Sequence, residues 1–475
     1  MTVTSEPRIG TRRAPATPGT LPLLGLLTVL GGQFLAIVDV FIVNVALPSM
    51  GAELHMSRSS EELIVAGYGL SYALFLVLGG RLGDNIGRKR LFLIGMAAFT
   101  LTSLACGLAP TPAVLVAARV AQGASAAMMV PQVLGTITAA TTGTARAKAI
   151  GAFGATGGIA SVVGQLAGGV LVAADIAGSG WRPIFLVNVP IGILALIGAA
   201  RWMPGTRSEV RSRLDLRGTM LLGLTVLLLM VPLLEGQSLG WPLWIFALLL
   251  AVPFAAMAFY RTQRRIEDSG GAPLLAPSLL RLHSLRRGLL VSVPFFLGWG
   301  GFTFGYVFAL QQGLGFSALQ CGLALVPLGL AFLTASLSAP RLVNRFGGRV
   351  MRIGITVQLA GLIGLGATMF LAWPNVGIPA VAPWIALVGA GNGLVMGPLF
   401  RVVLADVPTA RAGTGGGTMT TVQQISLAIG VAGLGTVLNA FGTSGMHAGF
   451  TTLVLVVAVL SLIFAVGSRM LPEPR

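Results

Sequence analysis

Fourteen apolar runs, separated by short segments that hold most of the charge, constrain the fold of this chain more than any other feature. A helix needs about 20 apolar residues to cross the hydrocarbon core of a bilayer. Backbone polar groups in lipid must be satisfied within their own segment, so the runs are predicted to be helices. Of the 475 residues, 55% are hydrophobic and 9% are charged, which excludes a soluble globular protein and indicates an all-α polytopic membrane protein. The runs cover roughly 22–48, 62–82, 91–109, 112–137, 149–174, 184–203, 217–235, 241–260, 288–311, 318–340, 351–372, 378–402, 414–440 and 447–468.

The basic residues test this count, because the cytoplasmic loops of membrane proteins are enriched in Lys and Arg. When the N-terminus is placed in the cytoplasm, all but three of the 31 Lys and Arg residues fall in cytoplasmic segments. Arg58 and Arg182 fall in outside loops, and Arg119 lies within a run. We therefore predict a multi-pass protein of the plasma membrane with both termini in the cytoplasm. The formal net charge of +17 is spread over many loops, so the lipid bilayer is the expected partner and nucleic acid is not.

Residue types that carry most enzyme and metal chemistry are scarce and scattered in this chain. The two cysteines, Cys106 and Cys321, form no CxxC pattern, and the three histidines are far apart. The glycine-rich stretch 413–417 lacks the Lys-Ser/Thr ending of a phosphate-binding loop and follows no strand, so no nucleotide is expected. We predict no enzyme activity, no metal and no cofactor.

One charged segment carries a recognisable pattern. Between the second and third runs lies the sequence Gly80-Arg81-Leu82-Gly83-Asp84-Asn85-Ile86-Gly87-Arg88-Lys89-Arg90. Its glycines at 80, 83 and 87 are expected to form a tight reversal, since glycine has no Cβ penalty at positive φ. The segment resembles the signature loop of the major facilitator superfamily, Gly-x-Leu-x-Asp-x-x-Gly-Arg-Lys/Arg-Arg. A degenerate copy follows at Arg341-Leu342-Val343-Asn344-Arg345-Phe346-Gly347, and two related loops predict two related halves.

The resemblance extends over essentially the whole chain after residue 20, and the fourteen runs resemble the drug:proton antiporter branch of that superfamily. The predicted domains are a disordered cytoplasmic tail at roughly 1–20, an N-terminal six-helix bundle at 21–204, an inserted helix pair with basic flanking loops at 205–287, and a C-terminal six-helix bundle at 288–475. In the family, the signature loop helps to hold the cytoplasmic gate closed, which implies this role for Gly80, Asp84, Gly87 and Arg88. Alternatively, Asp84 only neutralises its own Arg-rich loop.

Asp39 is the sharpest single candidate, because it lies within the first run, where an acid is costly and functional by default. An acid buried alone favours its neutral form, and an acid beside a cation favours its charged form. A group that moves between these environments can bind and release a proton. The stretch from Asp39 to Pro48 resembles the first-helix motif of the branch, Leu-Asp-x-Thr-x-Val-Asn-Val-Ala-Leu-Pro, with Phe41 at the usual Thr. Alternatively, the acid only fixes helix packing.

Arg119 is the only cation that lies away from the ends of the runs. The stretch 115–123 resembles the fourth-helix motif of the superfamily, Leu-x-x-x-Arg-x-x-Gln-Gly. At the helical rise of 1.5 Å per residue, Asp39 and Arg119 lie about 6 and 9 Å outside the membrane midplane. We therefore predict that they interact directly or through water, and that a proton on Asp39 loosens its hold on Arg119 and biases alternating access. A static ion pair is the alternative.

The fifth run is rich in glycine. Gly154/Gly158 and Gly164/Gly168 form two Gly-x-x-x-Gly pairs, which let helices approach closely. The antiporter motif of the branch occupies this place and ends Gly-Pro-x-x-Gly-Gly. Gln165 stands where that motif has proline, which removes a helix kink and adds a polar group. The stretch 181–192 resembles the start of the sixth helix in the branch and suggests no chemistry.

Several other polar residues fall at membrane depth, where they line a central substrate cavity or, alternatively, form hydrogen bonds between helices. They are Gln33, Asn44, Tyr68, Gln122, Gln132, Tyr306 and Gln311. Asp39 and Glu235 are the acids expected at depth, and Glu235 lies near the outer end of the seventh run. This small number of acids favours neutral or singly charged substrates.

These features predict a monomeric, proton-driven exporter of lipophilic small molecules such as antibiotics, dyes or secondary metabolites. A proton-coupled importer on the same scaffold is the first alternative, and the Gln165 departure is its main support. A non-transporting membrane sensor is the second, although the sequence offers no soluble domain for signalling. A membrane enzyme ranks last, because the chain has no His/Asp/Glu cluster at one depth.

Overall fold

The computed structural model describes residues 21–206, 214–236, 239–271, 273–408, 411–442 and 445–471. This part of the chain contains fourteen helices long and apolar enough to cross a membrane and no strand, which confirms the predicted architecture. The predicted tail at 1–20 lies outside it. The helices are α1 (Leu23–Glu53), α2 (Arg58–Ile86), α3 (Arg88–Gly107), α4 (Pro112–Ala140), α5 (Gly143–Ala174), α6 (Pro183–Trp202), α7 (Leu216–Glu235), α8 (Leu243–Asp268), α9 (His283–Gly313), α10 (Ala318–Phe346), α11 (Arg349–Ala372), α12 (Ile378–Val403), α13 (Ala412–Phe441) and α14 (Met446–Ser468).

The signature segment is mostly helix rather than loop. α2 continues through Gly80 and Gly83, and only Gly87 leaves helical geometry, with a φ of 105°. Gly83 gives room to the side chain of Gln132 on α4, which a Cβ at this position would overlap. The prediction of a tight reversal is therefore wrong for Gly80 and Gly83, because one glycine is enough to turn the chain into α3.

The second copy of the signature has the same geometry. α10 continues to Phe346, so six residues of the motif that we expected in a loop extend the helix instead. Gly347 then reverses the chain at a φ of 59°. The two copies therefore share a helix end that is closed by a single glycine in a conformation that other residues adopt only with strain.

α2 begins four residues before its predicted start, because Ser57 caps it. The Ser57 side chain accepts a hydrogen bond from the backbone N–H of Ser60 at 3.2 Å, which satisfies a donor that a helix start leaves unpaired. Glu61 and Glu62 consequently lie within the first two turns of the helix, with 4% and 1% of their surface exposed.

The helices pack as two groups with a pair between them. We name α1–α6 the N-bundle and α9–α14 the C-bundle; α5 packs against α10, and α2 packs against α13, so both contacts join the bundles. α7 contacts α2 and α13, whereas α8 packs on α7. The face of α8 that points away from α7 is apolar and uncovered by other helices. The side chains of Leu243 and Phe254 are 87% and 71% exposed, as expected for a helix that faces lipid. The predicted domain limits stay a prediction.

Two helices are irregular at positions that matter for the site. α6 consists of Pro183–Leu186 and Asn188–Trp202, so it is interrupted at Val187. The last five residues of α9, Ala309–Gly313, form a π-helical turn. Such turns widen a helix locally and often occur at functional positions.

Candidate proton-coupling site

The structure places the carboxylate of Asp39 against the guanidinium of Arg119. Nη1 of Arg119 donates to Oδ2 of Asp39, and the two side chains are 1% and 0% exposed. Asp39 lies near the middle of α1, and Arg119 lies in the N-terminal half of α4. The contact joins two helices of the N-bundle in the interior of the protein.

Two amides complete the surroundings of the Asp39 carboxylate. The side-chain N–H groups of Gln122 on α4 and Asn188 on α6 donate to Oδ1 of Asp39 at 2.9 and 3.0 Å. Both amides also donate to the hydroxyl of Ser103 on α3, at 2.6 and 3.3 Å. The carboxylate therefore accepts three hydrogen bonds, from Arg119, Gln122 and Asn188, and four helices contribute side chains to the site.

Arg119 has further partners that do not depend on Asp39. Its Nη1 donates to Oε1 of Gln122 at 2.6 Å, and its Nε donates to the backbone oxygen of Ile64 on α2 at 3.2 Å. Its guanidinium lies 4.4 Å from the ring centre of Tyr68, a cation–π contact. Tyr68 in turn donates to the backbone oxygen of Ala36 on α1 at 3.1 Å. The cation would thus keep some of its contacts if the carboxylate were neutralised.

Sequence reasoning missed Asn188 and Ser103 as members of this site. The stretch around Asn188 resembled the family but suggested no chemistry, and the structure corrects that interpretation. The interruption of α6 at Val187 directly precedes Asn188 and is followed by a helix that buries the amide, which is 1% exposed. An asparagine three residues after Phe185, in an otherwise apolar stretch, was the available signal.

Asp84 forms an ion pair within the signature segment. Its carboxylate accepts from Nη2 of Arg88, four residues further on, at 2.9 Å, and its side chain is 38% exposed. The backbone N–H of Arg88 donates to the oxygen of Thr206 at 3.0 Å, and Lys89 donates to the oxygen of Ala200 at 2.8 Å. This arrangement matches the alternative in which Asp84 neutralises its own segment, and the gate role stays a prediction.

The glycine motif of α5 packs closely against two helices. A Cβ at Gly164 or Gly168 would lie 2.8 Å from a backbone oxygen of α1, and a Cβ at Gly158 would overlap Leu333 of α10. Gly154 differs, because a Cβ there meets nothing within 4 Å. The prediction that Gly154/Gly158 packs as a pair is therefore wrong at Gly154, since it faces open space.

Gln165 lies where α5 meets α10. Its side chain is buried, with 2% exposed, and α5 runs unbroken from Gly143 to Ala174 around it. A Cβ at Gly329 of α10 would lie 3.5 Å from Oε1 of Gln165, so the amide faces the C-bundle. The polar group that replaces the motif's proline therefore contributes to the contact between the bundles.

The predicted cavity residues do not converge on one cavity. Tyr68 and Gln122 belong to the Asp39 site, and Tyr306 is fully buried in the C-bundle core. Gln33, Gln132 and Gln311 donate to backbone oxygens of Phe153, Gly79 and Val45 at 3.1, 3.0 and 2.8 Å, which is the alternative of hydrogen bonds between helices. Asn44 lies in α1, and its Oδ1 is buried without a hydrogen-bond partner.

Two further buried acids, both on α2, escaped the sequence analysis. Glu61 and Glu62 stand at the predicted start of the second run, and the sequence analysis did not consider either of them. The structure buries both, so the protein interior holds more acids than the sequence analysis counted. The preference for neutral or singly charged substrates therefore loses its basis. Among the described residues no group of three or more His, Cys, Asp or Glu is arranged to hold a metal ion.

A bundle of spanning helices with polar side chains buried between them is the architecture of a membrane transporter. The chain belongs to the Major Facilitator Superfamily, whose sequence profile matches residues 29–431. The family and the fold indicate a transporter rather than an enzyme. Among solved structures, the D-xylose–proton symporter superposes with a TM-score of 0.67 at 15% identity, over 95% of this chain and 98% of that chain, which bears on the fold alone.

Three relatives are similar over most of the chain. A probable actinorhodin transporter of Streptomyces coelicolor is 39% identical over 88% of this chain and 72% of its own length. The puromycin resistance protein pur8 of Streptomyces alboniger is 37% identical over 87% of this chain and 81% of its own length. The cephamycin export protein CmcT of Amycolatopsis lactamdurans is 34% identical over 93% of this chain and 92% of its own length.

Proposed function

We propose that this protein exports lipophilic small molecules, such as antibiotics or other secondary metabolites, from the cell in exchange for protons. The relatives support the substrate class, because their names describe an actinorhodin transporter, puromycin resistance and cephamycin export. The basic loops support a plasma-membrane location with both termini in the cytoplasm. The exporter would act as a monomer built of the predicted tail, two bundles and inserted pair.

The observation that carries the proposal is the buried contact between Asp39 and Arg119. An ionised Asp39 satisfies the guanidinium and the two amides at once. When Asp39 binds a proton, Oδ2 loses its attraction to Arg119, whereas Oδ1 still accepts from Gln122 and Asn188. The change in charge thus acts on the link between α1 and α4 and leaves the carboxyl group in place.

The released Arg119 transmits this change to α2. Its Nε donates a hydrogen bond to the backbone oxygen of Ile64 on α2, and α2 packs against α13 of the C-bundle. A shift of Arg119 would therefore act on a helix that joins the two bundles. In this scheme, proton binding biases the equilibrium between the two access states by the difference in proton affinity between them.

Everted membrane vesicles test the proposal. The vesicles are energised, a pH gradient is monitored by a fluorescent dye, and lipophilic antibiotics and dyes are added one at a time to wild type and to Asp39→Asn. We expect at least one compound to dissipate the gradient in wild type and not in Asp39→Asn. Equal dissipation in both proteins would overturn the role of Asp39. Movement of substrate and protons in the same direction would favour the importer instead. Gln165, buried where the antiporter motif has proline, is the sequence feature that supports that alternative.

A further inference from the structure

A second group of charged and polar side chains, separate from the Asp39 site, lies where the bundles meet at the end opposite the termini. It consists of Arg58, Glu61 and Glu62 on α2, Glu235 at the end of α7, and Asn439 on α13. We name these five residues the interface cluster. Both bundles and the inserted pair contribute to it, so it occupies a junction that the transport cycle must break and remake.

Contacts of the cluster cross from the N-bundle to the C-bundle. Nδ2 of Asn439 donates to Oε1 of Glu62 at 3.2 Å, and a Cβ at Gly435, one turn before Asn439, would overlap the Glu62 carboxylate. Nη2 of Arg58 donates to Oε1 of Gln312 in the π-helical turn of α9. α2 is therefore held to α13 through Glu62 and to α9 through Arg58, so these contacts join the two bundles at this end.

The charges of the cluster do not balance. Arg58 pairs with Glu61 through an Nη1–Oε2 contact of 3.4 Å, and this leaves Glu62 without a cation of its own. Glu61 and Glu235 both repel a charge on Glu62, while Arg58 alone attracts it. Glu61 and Glu62 therefore share one guanidinium. A proton on Glu62 removes the excess charge at the contact with α13 without removing the Asn439 hydrogen bond, because a neutral carboxyl group still accepts through Oε1.

We propose that Glu62 is a second proton-binding group of this transporter, and that its proton holds the end opposite the termini closed. When the proton leaves, repulsion from Glu61 and Glu235 acts on a carboxylate that is wedged against Gly435, and α2 separates from α13. The protein opens at this end as the pH rises and closes as it falls. The proposal deepens the proposed function, but its test needs neither substrate nor transport, so each can fail independently of the other.

The test measures a distance across the closed end. Ile176, after α5, and Leu371, at the end of α11, are exposed on opposite bundles, away from the cluster. Both become cysteines for spin labelling, in full-length protein whose two native cysteines are replaced by alanine and which is held in lipid nanodiscs. Electron double resonance gives the distance at about pH 6 and about pH 9, which lie between the ordinary pKa values of carboxyl and lysine groups.

We expect the distance distribution of the labelled parent to shift from short to long between the two pH values. Glu62→Gln should give the short distance at both, and Glu62→Asp, which keeps a titratable group, should restore the shift. Glu53→Gln is the matched control: it removes a carboxylate at the same end that is paired with Arg182 inside the N-bundle, and it should behave as the parent.

Two results would overturn the proposal. One is a parent distribution that does not change with pH. The other is a Glu62→Gln protein that still opens at high pH, which would assign the response to another group such as Asp39. Recovery of the shift in Glu62→Asp excludes the trivial explanation that substitution at this position only damages the fold.

Discussion

Removing either partner of the Asp39–Arg119 pair should destabilise the protein, but not equally. Both side chains are buried, with 0% and 1% exposed, so the surviving partner cannot turn to solvent. Leaving one charge of a buried pair unpaired costs about 3–5 kcal/mol. Arg119 cannot lose its proton, whereas Asp39 can gain one and become neutral. We therefore expect Asp39→Asn to approach the full cost and Arg119→Gln to cost less.

The double variant provides the sharper comparison. Asp39→Asn combined with Arg119→Gln leaves no charge in the site, and amides remain that can bond to Gln122 and Asn188. The double variant should therefore be more stable than Asp39→Asn alone, with a coupling energy of about 0.5–3 kcal/mol between the two positions, the range for residues in contact. Interactions of each charge with the rest of the protein cancel in this coupling energy when the single variants make no new contacts.

Unfolding of the purified protein in mixed detergent micelles measures these differences. The free energy of unfolding is compared for wild type, the two single variants and the double variant at one pH, and the arginine variant is measured again at lower pH. Acid should reduce the penalty of Arg119→Gln, because it supplies the proton that Asp39 needs. Additive losses, with the double variant the least stable of the four, would refute the view that the two charges depend on each other.

Three further predictions follow from the packing. Asn188→Leu removes one hydrogen bond to a charged group and should lower the free energy of unfolding by about 1.5–3 kcal/mol, measured in the same assay. Gly168→Ala should destabilise the protein, because the new Cβ would lie 2.8 Å from a backbone oxygen of α1. Gly154→Ala places its Cβ in open space and should stabilise the protein by roughly 0.5–1 kcal/mol through helix propensity. Equal effects of the two substitutions would contradict the described packing of α5. Asp84→Asn breaks a half-exposed pair with Arg88 and should change stability by less than about 1 kcal/mol, so a large loss of transport in vesicles at unchanged stability would assign Asp84 to the gate, and unchanged transport would exclude it.

The number of helices and the main ion pair were predictable because each has a strong signal in the sequence. Spans of about 20 apolar residues leave little freedom in their count. Asp39 and Arg119 stood out because a charge within an apolar run is costly unless it is paired. Their depths followed from the rise of the helix, and the structure brings the two side chains together directly.

Other features depended on geometry that spacing does not determine. Gly154 and Gly158 share the Gly-x-x-x-Gly spacing, yet only Gly158 faces another helix, because the sequence does not say which helix lies on which side. Asn188 reaches Asp39 from a helix that is interrupted at Val187. The predicted start of α2 was four residues too late, so Glu62 stood at the end of the predicted helix. A shift of this size decides whether an acid is exposed to solvent or buried.

The central claim is that Asp39 carries the proton that is exchanged for substrate. Addition of a transported compound to purified protein in a weakly buffered detergent solution tests this directly, with a pH indicator to count the protons released. If substrate and proton binding oppose each other, linkage requires that substrate expel up to about one proton per molecule from wild type through this group. Asp39→Asn should bind the compound and release fewer protons by that amount. The same release from both proteins would contradict the claim and move the coupling site elsewhere in the chain.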